Sequence, residues 1–331
     1  MSKRRISDQQ SRRIQSRRTQ ATPLAGDSDT LGAEQHGLII SRFGKQVDVE
    51  DDSGHVQRCY LRTHLDQLAC GDRVLWRASL AADASAGVVV AALPRKNVLA
   101  RPDDRGRLRP VAANVDRMFI VIAPQPEPFT NLIDRYLVNA ETDKLEALLV
   151  VNKTDLLNGD ANSAAIETLL ARYEKIGYRV LRTCCKDAQS LQALQNELPG
   201  YTSVFVGQSG VGKSSLINTL MPGLTIRVGE LSEAEAKGKH TTTTSRLYHF
   251  PAGGELIDSP GIRDFSLSHL NEAQIADGFR DLHPFLGHCQ FRDCRHREEP
   301  VCALKNAAAS GAIDAARWQS YLAIRASLTD N

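Results

Sequence analysis

The sequence contains no apolar run approaching the roughly 18 residues of a membrane span, and its basic start is not followed by the apolar stretch of a secretory signal. A cytoplasmic chain with no membrane partner is therefore expected. Nor is there a disulfide framework. Of seven cysteines, Cys59, Cys70, Cys184 and Cys185 are scattered and the remaining three cluster late, which fits a reducing compartment and one metal site. Acids are almost missing from residues 1–18, where seven Lys and Arg face Asp8 alone. That segment carries +6, so the rest of the chain must carry −4 to reach the formal +2.

With 331 residues, 42% of them hydrophobic and 24% charged, the chain can bury a full core and should hold two or three domains of a soluble, globular kind. Residues 1–35 have almost no apolar periodicity and are expected to be disordered when free, either a solvated tail or a basic arm for a phosphate backbone. Residues 36–100 read as a small β-barrel, from the apolar pieces Leu38–Ile40, Val47–Val49, Val56–Leu61, Val74–Trp76 and Val88–Val90. Five short strands suit an OB-fold or an SH3-like barrel. Arg58, Arg62, His64, Arg73 and Arg77 interleave with Tyr60 and Trp76, so this barrel offers a basic RNA face with stacking platforms, or else an ordinary solvated face over a core.

Residues 101–270 alternate strand and helix. Arg117–Ala123, Leu145–Val151, Tyr178–Thr183, Ser203–Gly207 and Glu255–Asp258 read as buried strands. Between them, Leu132, Ile133, Tyr136 and Leu137 form one helical stripe and Ile166, Leu169, Leu170 and Tyr173 another. An α/β domain follows, a parallel sheet covered on both faces. Residues 271–331 form a last unit, where Trp318, Tyr321 and Leu322 share a helix face that should dock on a core.

Chemistry enters at Gly207. Gly207-Gln208-Ser209-Gly210-Val211-Gly212-Lys213-Ser214 has the form G-x-x-x-x-G-K-S, directly after a strand ending at Val206 and before a helix opening with Ser215. Its glycines let backbone N–H groups wrap β- and γ-phosphates, Lys213 supplies a cation and a catalytic electrostatic role, and the Ser214 hydroxyl can ligate Mg²⁺. Asp258-Ser259-Pro260-Gly261 has the form D-x-x-G at a strand end, where Asp258 suits the Mg²⁺ shell and the Gly261 N–H a γ-phosphate. Asn152-Lys153-Thr154-Asp155 closes the strand ALLVV with the spacing N-K-x-D. The Asp155 carboxylate can accept the N1–H and exocyclic N–H of guanine, whereas adenine offers no such pair of donors, so GTP and GDP are the expected ligands. Thr183-Cys184-Cys185, ending the next strand, is a candidate for backbone contact with that base. The order is unusual, because N-K-x-D precedes the phosphate loop by some fifty residues. A rewired chain can still bring the same strand ends to one nucleotide. The D-x-x-G loop then leads directly into the C-terminal unit.

That unit holds Cys289, Cys294, His296 and Cys302 in the spacing C-x₄-C-x-H-x₅-C, three thiolates and one imidazole for a closed, structural zinc site. His283 and His288 are alternatives to His296.

Over nearly its whole length the chain resembles the circularly permuted, ribosome small subunit-dependent GTPases known as RsgA or YjeQ, through the permuted motifs, the zinc pattern and Gly238-Lys239-His240-Thr241-Thr242-Thr243, which matches G-x-H-T-T-T. The resemblance implies an N-terminal OB-fold, a permuted P-loop GTPase domain and a C-terminal zinc-binding α-helical domain. It implies GTP hydrolysis stimulated by the 30S subunit, binding to ribosomal RNA during late maturation, and release after hydrolysis, by a protein expected here to be monomeric. Where many GTPases carry a water-orienting Gln after D-x-x-G, this chain carries Ile262, which cannot position water. His240 is the candidate for that role, or a residue that only helps fold its loop. One of Thr241, Thr242, Thr243 and Thr244 is expected on Mg²⁺. Two other readings stay open: an RNA-binding assembly scaffold in which GTP is only structural, and a P-loop kinase, which N-K-x-D disfavours.

Overall fold

A computed structural model describes residues 31–80, 86–103, 106–223, 245–259, 267–297 and 299–328. The chain opens with β1 (Leu31–Phe43), β2 (Gln46–Glu50), β3 (Val56–Leu61), β4 (Arg73–Ser79) and β5 (Gly87–Ala92). Around the barrel the order is β1-β2-β3-β5-β4, and β4 returns to pair with β1 from Leu31↔Ser79 to Leu38↔Arg73. β3 and β5 run parallel, with Cys59 opposite Gly87, and the other pairs are antiparallel. This is the five-stranded Greek-key closure of an OB-fold. Its core is Ile39, Val47, Val49, Cys59, Val74, Trp76 and Val89.

Two expectations change here. β1 begins at Leu31, inside the stretch read as a disordered tail. Residues 33–36 are exposed and show no apolar alternation, and the segment is held through its backbone pairing with β4, which leaves no periodic trace in sequence. Trp76 is 2% exposed and donates its indole N–H to the His36 carbonyl at 3.2 Å, so it belongs to the barrel core and is no stacking platform. Tyr60 remains 52% exposed.

A hairpin of β6 (Val98–Pro102) and β7 (Leu108–Ala113) follows, spanning the expected boundary at residue 100. The α/β domain then comprises β8 (Arg117–Ile122), α1 (Thr130–Asp143), β9 (Glu146–Val151), α2 (Ala161–Lys175), β10 (Arg179–Arg182), α3 (Ala188–Gln195), β11 (Thr202–Val206), α4 (Lys213–Leu220), β12 (Arg246–His249) and β13 (Glu255–Asp258). The sheet order is β10-β9-β8-β11-β13-β12, parallel except for β12. All six residues of β8 are buried because both faces are covered. Met118, Ile120 and Ile122 pack toward α1 and α2 with Ile133, Tyr136, Leu170 and Tyr173. Phe119 and Val121 pack toward α3 and α4 with Leu194, Leu216 and Ile217.

The helices start where side chains cap them. Asp160 accepts from Ser163 N at 2.8 Å for α2, and Asp187 accepts from Gln189 N at 3.0 Å for α3. β12, which the sequence reading passed over, joins the barrel to the sheet through Ser41↔Arg246. Cys70 Sγ donates to the Ser245 carbonyl at 3.0 Å across the same seam.

The C-terminal unit packs α5 (Glu272–Asp277), a 3₁₀ turn (Arg280–Phe285), α6 (Ala303–Ala309) and α7 (Ala315–Ala326) around Phe279, Leu282, Leu304, Tyr321 and Ile324. Val138 of α1 belongs to the same cluster, so the unit is docked on the α/β domain.

Candidate functional site

The carboxyl ends of β9, β8, β11 and β13 lie side by side, and ligands of open parallel sheets bind outside that edge. Four segments converge there: 152–155 after β9, 123–129 after β8, 207–214 after β11, and Asp258 ending β13.

Gly207 has φ 137°, and a Cβ on it would stand 2.1 Å from the Val121 carbonyl oxygen, so only glycine lets the loop leave the sheet here. Gly212 has φ 93° and caps α4, and a Cβ on it would stand 2.4 Å from Asn152 Nδ2. The loop consequently lies close against the segment after β9. Asn152, 2% exposed, donates from Nδ2 to the Val211 carbonyl at 2.9 Å. Lys153, at φ 59°, donates from Nζ to the Gly210 carbonyl at 2.7 Å and the Gln125 carbonyl at 2.9 Å. Two motifs separated by more than fifty residues are thereby tied into one surface, and the 123–129 loop, unnoticed in the sequence, is the third member.

Lys213 Nζ donates to the Gly207 and Gln208 carbonyls, both at 2.7 Å, which holds the ammonium over the loop. Ser209 and Gly210 are exposed, Gln208 and Ser214 half-buried, and Ser215 exposed. Val206 and Val211 are buried, so these two offer a ligand only their backbone. Such a loop of N–H groups and one cation suits a polyphosphate. Asp258 pairs across the sheet edge with Arg246, and the adjacent Ser259 hydroxyl meets Ser245 Oγ at 2.6 Å. Gly261, His240 and Thr241 to Thr244 lie outside the described residues.

Asp155 sits on the 3₁₀ turn Thr154–Leu156. Thr154 donates to the Thr183 carbonyl from N at 3.3 Å and from Oγ1 at 3.2 Å, joining this turn to the segment after β10. Lys186 Nζ is 2.8 Å from Asp155 Oδ2, and Cys184 Sγ donates to Oδ1 at 3.4 Å. The Lys186 ammonium first, and then the Cys184 thiol, hold the Asp155 carboxyl below the usual carboxylate range. Lys186 was not found by sequence reasoning, since a lone exposed Lys outside a motif carries no signal.

Some distance away, the three cysteines and one histidine meet. His296 Nδ1 lies 3.5 Å from Cys289 Sγ, 3.5 Å from Cys294 Sγ and 3.3 Å from Cys302 Sγ, and the sulfurs of Cys289 and Cys302 are 3.9 Å apart. A tetrahedral zinc with bonds of about 2.3 Å to sulfur and about 2.0 Å to nitrogen requires edges of about 3.8 Å and about 3.5 Å. The cluster is therefore compatible with zinc in size as well as in donor type. It is built on His296, held at φ 59°, while His283 Nε2 is engaged with the Asp277 carbonyl at 2.6 Å.

Residues 92–268 match the family described as RsgA GTPase. The small ribosomal subunit biogenesis GTPase RsgA of Azotobacter vinelandii is 52% identical over 330 residues, covering 98% of this chain and 95% of that protein. Its namesake from Pseudomonas fluorescens is 49% identical, covering 100% and 99%. Among solved structures, YjeQ from Thermotoga maritima superposes with a TM-score of 0.72 at 31% identity, covering 90% of this chain and all of that one. YloQ, described as a circularly permuted GTPase, superposes with 0.69 at 26% identity, covering 93% and 98%.

Proposed function

The chain belongs to the RsgA GTPase family, as a GTPase of small ribosomal subunit biogenesis, and from that premise we propose how its own residues perform the reaction. Asp155 pairs with the guanine N1–H and exocyclic N–H, and the backbone of 207–214 with Lys213 grips the β- and γ-phosphates. Asn152 and Lys153 serve by locking the base-selecting turn to the phosphate loop, so that both ends of the nucleotide are met by one rigid surface. The observation that carries this reading is the pair of bonds from Asn152 to Val211 and from Lys153 to Gly210, since they align motifs that stand in reversed order along the chain.

Ser214, Asp258 and one of Thr241 to Thr244 are the residues we assign to Mg²⁺. Held by these residues, the ion would supply positive charge against the charge that develops on the transferring phosphate. His240 orients the attacking water, because Ile262 cannot. Cys289, Cys294, His296 and Cys302 hold one structural zinc that fixes the C-terminal unit.

We further place the protein in the cytoplasm as a monomer on the 30S subunit, contacting ribosomal RNA through its basic N-terminal residues and the barrel. No helix among the described residues is long and apolar enough to cross a membrane. Gly261 stands a few residues before the C-terminal unit, so loss of the γ-phosphate there shifts that unit and weakens ribosome binding. The test is affinity for 30S subunits with a non-hydrolysable GTP analogue against GDP, beside phosphate release with and without subunits. Tighter analogue binding and stimulated release support the reading; equal affinities refute the coupling. Unchanged stimulated turnover in His240→Ala would remove the catalytic role of that residue.

A further inference from the structure

Both oxygens of the base-selecting carboxylate already have donors from the segment after β10. Lys186 Nζ lies 2.8 Å from Asp155 Oδ2, and Cys184 Sγ lies 3.4 Å from Oδ1. A guanine brings two N–H donors to those same two oxygens. We propose that Lys186 gates base recognition: its ammonium and the guanine compete for Asp155, so Lys186 sets how tightly and how fast guanine nucleotides bind. The inference rests on the assignment of Asp155 to guanine made above.

The backbone geometry favours a gate over a fixed strut. The stem of Lys186 is anchored, because the Asp187 N–H donates to the Cys184 carbonyl at 2.9 Å and the Asp187 carboxylate caps α3. The turn bearing Asp155 is anchored as well, through the bonds from Thr154 to the Thr183 carbonyl. Between these fixed stems the lysine side chain is 82% exposed and the aspartate 34%. An ammonium on a flexible, solvated chain is held by a weak, salt-screened attraction and can be displaced at small cost. Cys184 differs in that it is 6% exposed and cannot swing into solvent, so the movable competitor is Lys186. The competition acts at the base, remote from the γ-phosphate, and should therefore affect GDP and GTP alike.

The experiment measures affinity and association rate of a fluorescent GDP and a fluorescent non-hydrolysable GTP analogue for the full chain, for Lys186→Met and for Lys186→Arg. Lys186→Met should bind both nucleotides about two- to five-fold tighter, chiefly through faster association, while Lys186→Arg stays close to the parent. The difference should shrink between about 20 mM and about 500 mM KCl, because the lost pair is an exposed one. In an Asp155→Asn background assayed with xanthosine diphosphate, whose 2-oxo group accepts from the amide, Lys186→Met should have no effect. Weaker binding by Lys186→Met, or a gain that persists in Asp155→Asn, would overturn the gate. Failure of the guanine assignment would show separately, as equal binding of ATP and GTP by the parent protein.

Discussion

Arg317, on the last helix, and Asp134, on the first helix of the α/β domain, form an ion pair whose side chains are 1% and 0% exposed, 183 positions apart in sequence. The same guanidinium donates to Asp281 Oδ1 at 2.6 Å and lies over the Phe279 ring, 4.4 Å from its centroid. Asp134 also accepts from the Tyr173 hydroxyl at 2.7 Å. Asn131 of the same helix reaches Ser320 Oγ at 3.1 Å, and Phe129 at its start is the last residue of the 123–129 loop that Lys153 binds through Gln125. One helix thus connects the floor of the proposed nucleotide site to the C-terminal unit, beside the covalent link through the D-x-x-G segment.

Removing Arg317 strands two buried carboxylates. Arg317→Leu should lower stability by about 3–5 kcal/mol in urea unfolding of the C-terminal unit. Asp134→Asn, which keeps a polar partner for Tyr173 and for the guanidinium, should cost less. A loss under about 1 kcal/mol for Arg317→Leu would mean that water reaches the pair.

Gly212→Ala tests the tie between the two motifs. The new Cβ would stand 2.4 Å from Asn152 Nδ2, at a φ of 93° that side chains avoid. Nucleotide affinity should fall at least about ten-fold, as loop and turn are pushed apart by a contact that must relax. Titration of a fluorescent guanine nucleotide reads this directly, and unchanged affinity would show that the close approach is dispensable.

The metal cluster predicts about one zinc per chain by elemental analysis, and its loss in Cys294→Ser. Cys302 is also the N-cap residue of α6, its carbonyl accepting from Asn306 N at 3.0 Å. Metal loss should therefore loosen that helix and raise its amide exchange, while the barrel, with a separate core, keeps its protection. Equal exchange with and without metal would dismiss a structural role.

How much of this was legible in the sequence depends on how local the signal was. The strand ends carrying Asn152 and Gly207 were visible because their apolar runs and motifs are contiguous, and the cluster of Cys289, Cys294, His296 and Cys302 because their spacing is short. β1 before residue 36 was not, since its exposed residues pair through backbone alone. Trp76 stayed open between a stacking platform and the core because an aromatic among arginines looks the same from either face of a strand. Lys186 and the Arg317–Asp134 pair were invisible for a simpler reason: their partners lie 31 and 183 residues away, and only packing brings them together.

Asp143, at the end of α1, has its carboxyl pushed up to about 6 by burial. Because the folded protein then holds a proton that the unfolded chain releases near pH 4, stability should fall as pH rises through this window. Asp143→Asn should gain about 2 kcal/mol at pH 7 and nothing below about pH 4. A gain independent of pH would point to a cause other than charge burial.

Whether one carboxylate beside a glycine loop selects the purine is read by competing a fluorescent guanosine triphosphate analogue off the full chain and off its Asp155→Asn variant. GTP should displace it from the parent where ATP does not, and the variant should exchange its preference for GTP for one for xanthosine triphosphate. Displacement by ATP and GTP at the same concentrations from the parent protein would contradict that selection.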